Sequence, residues 1–184
     1  LVLAEDTGNN VLVRINGNGN NPIDVFEIIG GSFTGISNTT GGEIVNITAT
    51  SIGTLSSHGT IGLARHDATA AAVNGIPVLS NTLPFLQQRI GVVSGDIAQI
   101  VSRKGVGNII VTGSIGTVAA NAAGRVDHTD GEFRGIAAPI YATGDIALVQ
   151  IGEGIAPSGS GEFAHAGIFA LGSIGVVKNQ GAGS

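Results

Sequence analysis

The segment at 107–118, GNIIVTGSIGTV, places a short run of β-branched residues on each side of a Gly-Ser-Ile-Gly corner. Four other segments repeat this arrangement when their corners are put in register: 47–55 (ITATSIGTL), 92–100 (VVSGDIAQI), 141–149 (YATGDIALV) and 169–177 (FALGSIGVV). β-Branched residues favour strands, and self-similarity at a recurring interval is typical of solenoid proteins. The pattern therefore predicts two short strands that meet at an angle and recur along an axis.

Each column of the repeat has a physical interpretation. A corner glycine permits a positive φ or a close approach to a stacked neighbour, and the Ser or Asp that follows can hydrogen-bond its own local backbone and hold the bend. An isoleucine at one fixed position predicts an aliphatic ladder inside a coil. The corner column is Gly95, Gly113, Gly144 and Gly172, with Thr50 in the first copy. The isoleucine column is Ile52, Ile97, Ile115, Ile146 and Ile174.

The spacing of the corners is consistent with one coil per repeat. Gly95 and Gly113 are 18 residues apart, whereas the next two intervals are 31 and 28 residues. The longer intervals contain 121–135 and 152–163, which are rich in turn-forming residues, and insertions on a stacked framework fall in loops. We predict an all-β, right-handed parallel β-helix, its hand following the general preference of parallel crossovers. A β-sandwich of short strands is the alternative, although a sandwich gives no reason for one corner to recur.

The rest of the chain fits the repeat less well. We predict a single solenoid domain over 1–178, in which 1–43 forms an irregular first coil or cap, followed by a flexible tail at 179–184. The segment 67–89 predicts one or two short helices, the first capped by Asp67. The chain begins at Leu1 without Met, and we interpret it as a mature or excised piece of a longer protein.

The composition of the 184-residue chain narrows its function classes. It contains 31 Gly and only 11% charged residues, and it has no Cys, which excludes disulfides and thiolate metal sites. The net charge is −5, and the basic residues are scattered apart from Arg103 and Lys104. No basic stripe indicates a nucleic-acid partner, and no apolar run reaches the roughly 18 residues of a membrane span. Chains of this composition are common among exported bacterial fibres, so we expect a secreted or cell-surface location.

The corners also resemble a known group of proteins. The Gly-Ser-Ile-Gly-x-Val and Gly-Asp-Ile-x-x-Val patterns are similar to those in very large, Gly-rich, repetitive bacterial surface and secreted proteins of planctomycete type and, more loosely, to filamentous-haemagglutinin-like adhesins. The resemblance covers about 44–178. It implies a right-handed β-helix that serves as an adhesin, fibre or envelope component, and it carries over no catalytic residue.

The densest polar cluster of the sequence lies in the insertion at 121–135. One interpretation is a contact loop for a polysaccharide or a cation, or acid–base chemistry on a uronic sugar. The other is a solvated loop that keeps a low-charge protein soluble. The candidate residues are Arg125, Asp127, His128, Asp130, Glu132 and Arg134.

Other polar segments indicate weaker sites. The segment 56–67 supplies His58, Arg65, His66 and Asp67, and its Ser-His-Gly piece is faintly similar to a β-helical polygalacturonase motif, but the paired Asp residues and Arg-x-Lys of such enzymes are missing. The segment 16–24 has oxygen-bearing side chains at alternating positions, as a cation-binding loop does. Asp24 is its only carboxylate, however, so an Asn/Gly turn is the better interpretation.

The remaining polar features have structural interpretations. Asp96 and Asp145 follow corner glycines, and we expect them to hold bends. The triplets at 38–40 and 46–48 are glycosylation sequons.

These observations favour a non-enzymatic structural or adhesive β-solenoid module of a bacterial surface or extracellular protein. Its expected partners are other copies of itself or a larger parent chain, assembling into a fibre or coat, and it needs no cofactor or metal. The alternative is a polysaccharide lyase or hydrolase, or a carbohydrate-binding module, built on the same fold. Sugar binding is less favoured, because aromatic rings provide the surfaces on which sugars stack and the chain has no Trp and a single Tyr, Tyr141.

Overall fold

The computed structural model describes residues 2–4, 11–17, 20–25, 27–62, 90–92, 95–120, 135–136, 139–152 and 167–179, with the backbone alone at 2–4. Every regular element in these ranges is a β-strand, and no helix is found among them. Seven strands lie in the first half of the chain: β1 (Val2–Ala4), β2 (Val11–Ile15), β3 (Glu27–Ile29), β4 (Ser32–Asn38), β5 (Ile47–Ala49), β6 (Ser51–Ser57) and β7 (Ile90–Val92). Seven follow: β8 (Ile97–Ser102), β9 (Ile109–Val111), β10 (Ile115–Ala120), β11 (Ile140–Ala142), β12 (Ile146–Ile151), β13 (Ile168–Ala170) and β14 (Ile174–Asn179).

Successive strands alternate between two parallel sheets of seven strands each. The first sheet contains the odd-numbered strands in the order β1-β3-β5-β7-β9-β11-β13, and the second contains the even-numbered strands in the order β2 to β14. We call one odd strand and the even strand that follows it a layer, so the described chain has seven layers, about 4.8 Å apart. Each layer pairs only with the layers before and after it, an arrangement compatible with the predicted β-solenoid.

A third, narrower line of parallel pairing joins the layers. It consists of single-residue bridges that connect Val25, Ile44, Ile61, Val106 and Ile136 in that order. All five side chains are buried. The core therefore lies between the two sheets and this third ladder, and it is filled almost wholly by Ile, Val, Leu and Ala.

The isoleucine column aligned in the sequence is one of the core ladders. The strand registers join Ile52, Ile97, Ile115, Ile146 and Ile174 in successive layers. The first four are buried, whereas Ile174, which has a layer on one side only, is 41% exposed. Stacking like side chains lets every layer present the same shape to the next, which is how a core made of one residue type packs without voids.

The corner glycines are explained by close approach and not by backbone handedness. Among the described glycines, only Gly41 and Gly62 have a positive φ. A Cβ placed on Gly113 would instead overlap the Asp96 carboxylate and the Gly95 carbonyl of the preceding layer. The chain bends at these corners while two backbones lie almost in contact, and a side chain at the corner would separate the layers.

The first 43 residues contribute two layers to the same sheets. Strands β1 to β4 pair in parallel with one another and with β5 and β6, and Ser32 and Phe33 are in register with Ser51 and Ile52. The segment 28–36 is therefore a sixth copy of the repeat, in which Phe replaces the ladder isoleucine. The helices predicted in 67–89 lie outside the described residues.

Candidate functional site

The corner between the two sheets carries a line of side-chain hydrogen bonds that run from one layer to the next. The Asp96 Oδ1 atom accepts from the Ser114 amide at 2.7 Å, and the Ser114 Oγ atom accepts from the Asp145 amide at 3.1 Å. Asp145 Oδ1 in turn accepts from the Ser173 amide at 2.7 Å. These residues were predicted to bond their own bends, whereas the hydrogen bonds described here clamp adjacent layers. The carboxylates of Asp96 and Asp145 are therefore used in holding the stack.

The corner at the end of the second sheet, which we call the distal corner, begins with a buried polar side chain in three layers. Asn38, Ser57 and Ser102 stand in register there, and all three are buried. Each accepts a hydrogen bond from the amide two residues ahead, at 3.1, 2.9 and 3.0 Å. Each also donates to a carbonyl of the preceding layer, at 2.8, 2.9 and 2.7 Å. The same side chain thus closes its own turn and ties it to the neighbouring turn.

Charged groups follow these polar residues on the outside of the distal corner. His58 and Arg103 occupy equivalent places, since the His58 amide donates to the Asn38 carbonyl and the Arg103 amide donates to the Ser57 carbonyl. Burial lowers the pKa of the His58 imidazole, the positive charge of Arg103 lowers it further, and a hydrogen bond with the Thr39 backbone opposes both. His58 is therefore biased toward its neutral form, and Arg103 with Lys104 supplies the positive charge of this corner.

Two segments outside the described residues begin at the distal corner. The insertion at 121–134 begins after Ala120, and the one at 153–166 begins after Gly152, whose amide donates to the Ala120 carbonyl at 2.8 Å. Ala120 is in register with Ser102 in the preceding layer. The loop predicted to carry the site therefore departs one layer from Arg103 and Lys104. Its candidate residues lie outside the described residues: Arg125, Asp127, His128, Asp130, Glu132 and Arg134.

Some of the remaining predicted site residues are among the described residues, and others are not. Asp24 Oδ1 accepts from the Glu43 amide at 3.0 Å, so the single carboxylate of 16–24 lies on a neighbouring layer's backbone. The turn is further tied by Thr40 Oγ1, which accepts from the Ile23 amide at 2.9 Å. No group of three or more His, Asp or Glu that could hold a metal ion occurs within the described ranges. Arg65, His66 and Asp67 fall among the residues that are not described.

The first glycosylation sequon is inaccessible in the folded chain. Asn38 is buried, and its Nδ2 atom donates to the Ile23 carbonyl at 2.8 Å. N-glycosylation needs this nitrogen at the surface, so the 38–40 triplet belongs to the polar line of the distal corner.

Sequence analysis did not single out the exposed apolar residues at the ends of the stack. Val176 and Val177 in β14 are about half exposed, as is Leu12 in β2. Phe169 and Leu171 are exposed near β14 as well. Four of these residues belong to the aligned copy at 169–177, so the signal was available in the sequence.

Comparisons with protein-family models, with curated proteins and with solved structures found no match to this chain. Within the described part of the chain, no helix has the length and hydropathy to cross a membrane.

Proposed function

We propose that this chain is a non-enzymatic structural module of a bacterial surface or extracellular protein, wound as a right-handed parallel β-helix that forms one segment of a stiff, self-associating scaffold. The observation that carries this proposal is the uniformity of the stack. Six ladder positions, from Phe33 through Ile115 to Ile174, repeat in register along one sheet. A stiff scaffold needs such axial repetition.

The use made of polar side chains supports the same proposal. Three of the five described carboxylates, Asp24, Asp96 and Asp145, each accept a hydrogen bond from a backbone amide of another layer. These three side chains therefore serve cohesion between layers.

The distal corner supports a second candidate function, in which the module contacts or cleaves an acidic polysaccharide. Arg103 and Lys104 sit one layer from the point where the 121–134 insertion departs, and that insertion carries Asp127, Asp130 and Glu132. A lyase acting on a uronic sugar needs a cationic group beside a base, and the segment that carries these carboxylates begins one layer from the basic residues of this corner.

Two measurements test the structural proposal against this alternative. Antibodies against the chain should label intact cells of the source organism, or detect the protein in the medium, and a cytosolic location would contradict the proposal. The purified chain should release neither unsaturated products nor reducing ends from a panel of neutral and acidic polysaccharides. Turnover that is lost in Asp127→Asn or Glu132→Gln, and kept in the matched variant Asp96→Asn, would establish the enzyme alternative.

A further inference from the structure

At each end of the stack, both sheets end in a strand that pairs with a described strand on one side only. Strands β13 and β14 form what we call the C-terminal edge, and strands β1 and β2 form the N-terminal edge. No described strand lies beyond either edge. Unpaired edge strands expose a row of backbone donors and acceptors that another strand can complete.

Apolar side chains are exposed at both edges in matching columns. On the C-terminal edge, Val176 and Val177 are 50% and 51% exposed. Following the registers through the seven layers, Val176 lies in the same column as Leu12, and Val177 lies in the same column as Val13. Leu12 on the N-terminal edge is 51% exposed. The core column is buried from Ile36 to Val149, partly buried at Val13 and exposed at Val177, so it runs open at both ends, whereas the outward-facing column of Leu12 is exposed within the stack as well.

A parallel sheet is extended by translation alone, so its two edges are complementary to each other. If a second copy is shifted along the axis by the height of one stack, its β2 lies beside β14 of the first copy. The register is then the one in which β2 and β4 pair within a single chain. That pairing contains a one-residue bulge beside Val11 and Leu12, and Gly175 stands at the equivalent place in β14. An added layer of this kind would continue both the backbone ladders and the apolar columns.

We propose that the C-terminal edge is a docking surface for the N-terminal edge of a second copy, and that Arg14 and Lys178 set the strength of this head-to-tail contact. Both residues are exposed and occupy one column. The five residues between them in that column are uncharged: Ser37, Ser56, Val101, Ala119 and Gln150. Charge therefore occurs in this column only at the two positions that would meet between copies.

The like charges weaken the contact without removing it. Like charges that face each other across paired strands are destabilising, whereas opposite charges stabilise. Within one chain Arg14 and Lys178 are six layers apart, or about 29 Å, which is well beyond the roughly 10 Å screening length at ordinary salt. Any coupling between the two residues must therefore act between copies. Salt should screen the repulsion and strengthen the association.

The inference rests on the proposed scaffold function, and a charge-swap cycle tests it separately. Sedimentation equilibrium of the full chain over a range of concentrations and at low and high salt would give a dissociation constant for the parent, Lys178→Glu, Arg14→Glu and the double variant. We expect each single variant to associate roughly tenfold more tightly than the parent, because it pairs opposite charges. The double variant, with like charges again, should return to the parent value. Thermal unfolding followed by circular dichroism checks that all four proteins fold alike.

Two outcomes of the cycle would overturn the docking inference. Monomers at every concentration and salt would exclude the contact, and additive effects of the two reversals, so that the double variant does not return to the parent value, would show that Arg14 and Lys178 do not meet. Val177→Asp should abolish association, and a variant that still associates would contradict the apolar column. None of these results bears on the surface location or on polysaccharide turnover, which are tested by the measurements given for the proposed function.

Discussion

Truncating one isoleucine inside the stack and one at its end gives a matched test of the ladder. Ile115 is 1% exposed and lies between Ile97 and Ile146, whereas Ile174 occupies the same column, contacts a layer on one side and is 41% exposed. Removing the side chain of a buried isoleucine costs about 2–5 kcal/mol, more when the cavity cannot collapse. The layers around Ile115 are fixed by backbone ladders, so we expect Ile115→Ala to fall in the upper half of that range.

Ile174→Ala should cost about 1 kcal/mol or less, because water already reaches much of that side chain and its loss leaves no closed cavity. Urea unfolding followed by far-ultraviolet circular dichroism measures both variants, and equal slopes with denaturant show that the same surface is exposed in each. Ile115→Asp should destabilise still more, since it buries an unpaired charge. Equal losses at 115 and 174, or an Ile115→Asp protein that melts like the parent, would refute the ladder.

Three further predictions concern the corners and the wall. Gly116→Ala should destabilise by about 1–3 kcal/mol, because its Cβ would overlap a carbonyl of the preceding layer, whereas Gly35→Ala, which meets the movable end of a leucine side chain, should be nearly neutral in the same urea assay. Asp96→Ala should lose about 1 kcal/mol with its interlayer hydrogen bond, and Asp96→Ser, which restores the residue used in neighbouring layers, should recover most of it. Because the folded pKa of His58 lies below its ordinary 6.5, the unfolded chain binds the proton more readily, and stability should fall as pH falls below about 6.5. The free-energy difference between the parent and His58→Gln, measured against pH, should show this slope, and Arg103→Gln should reduce it; a slope unchanged by either substitution would contradict the assignment.

The sequence predicted the strand pairs and their register because both depend on short-range patterns. A corner followed by a serine or aspartate and an isoleucine is visible in a nine-residue window, and the registers of β6, β8, β10, β12 and β14 place these isoleucines opposite one another. The copy at 28–36 was missed because Phe33 fills the ladder position. Phe33 is buried like the isoleucines of the ladder, but a pattern that requires isoleucine does not find it.

The direction of the corner hydrogen bonds was not predictable from the sequence. A serine or aspartate after a glycine has the same signature whether it accepts from its own turn or from the next layer. The choice is made by the layer spacing of about 4.8 Å, which brings the Ser114 amide within 2.7 Å of Asp96 Oδ1. Only the stacked geometry separates a bend-holding residue from an interlayer clamp.

At the distal corner, a polar side chain at the end of the strand accompanies a tight turn. Where the strand of the second sheet ends in Asn38, Ser57 or Ser102, the side chain accepts the amide two residues ahead and the chain turns at once. In the next two layers the same column holds Ala120 and Ile151, which offer no acceptor, and each is followed by an insertion of more than ten residues. The segments that begin after Ala120 and Gly152 carry seven of the 21 charged residues of the chain. Any contact that these charges make is therefore anchored at the distal corner, apart from the contact between copies proposed for the two edges.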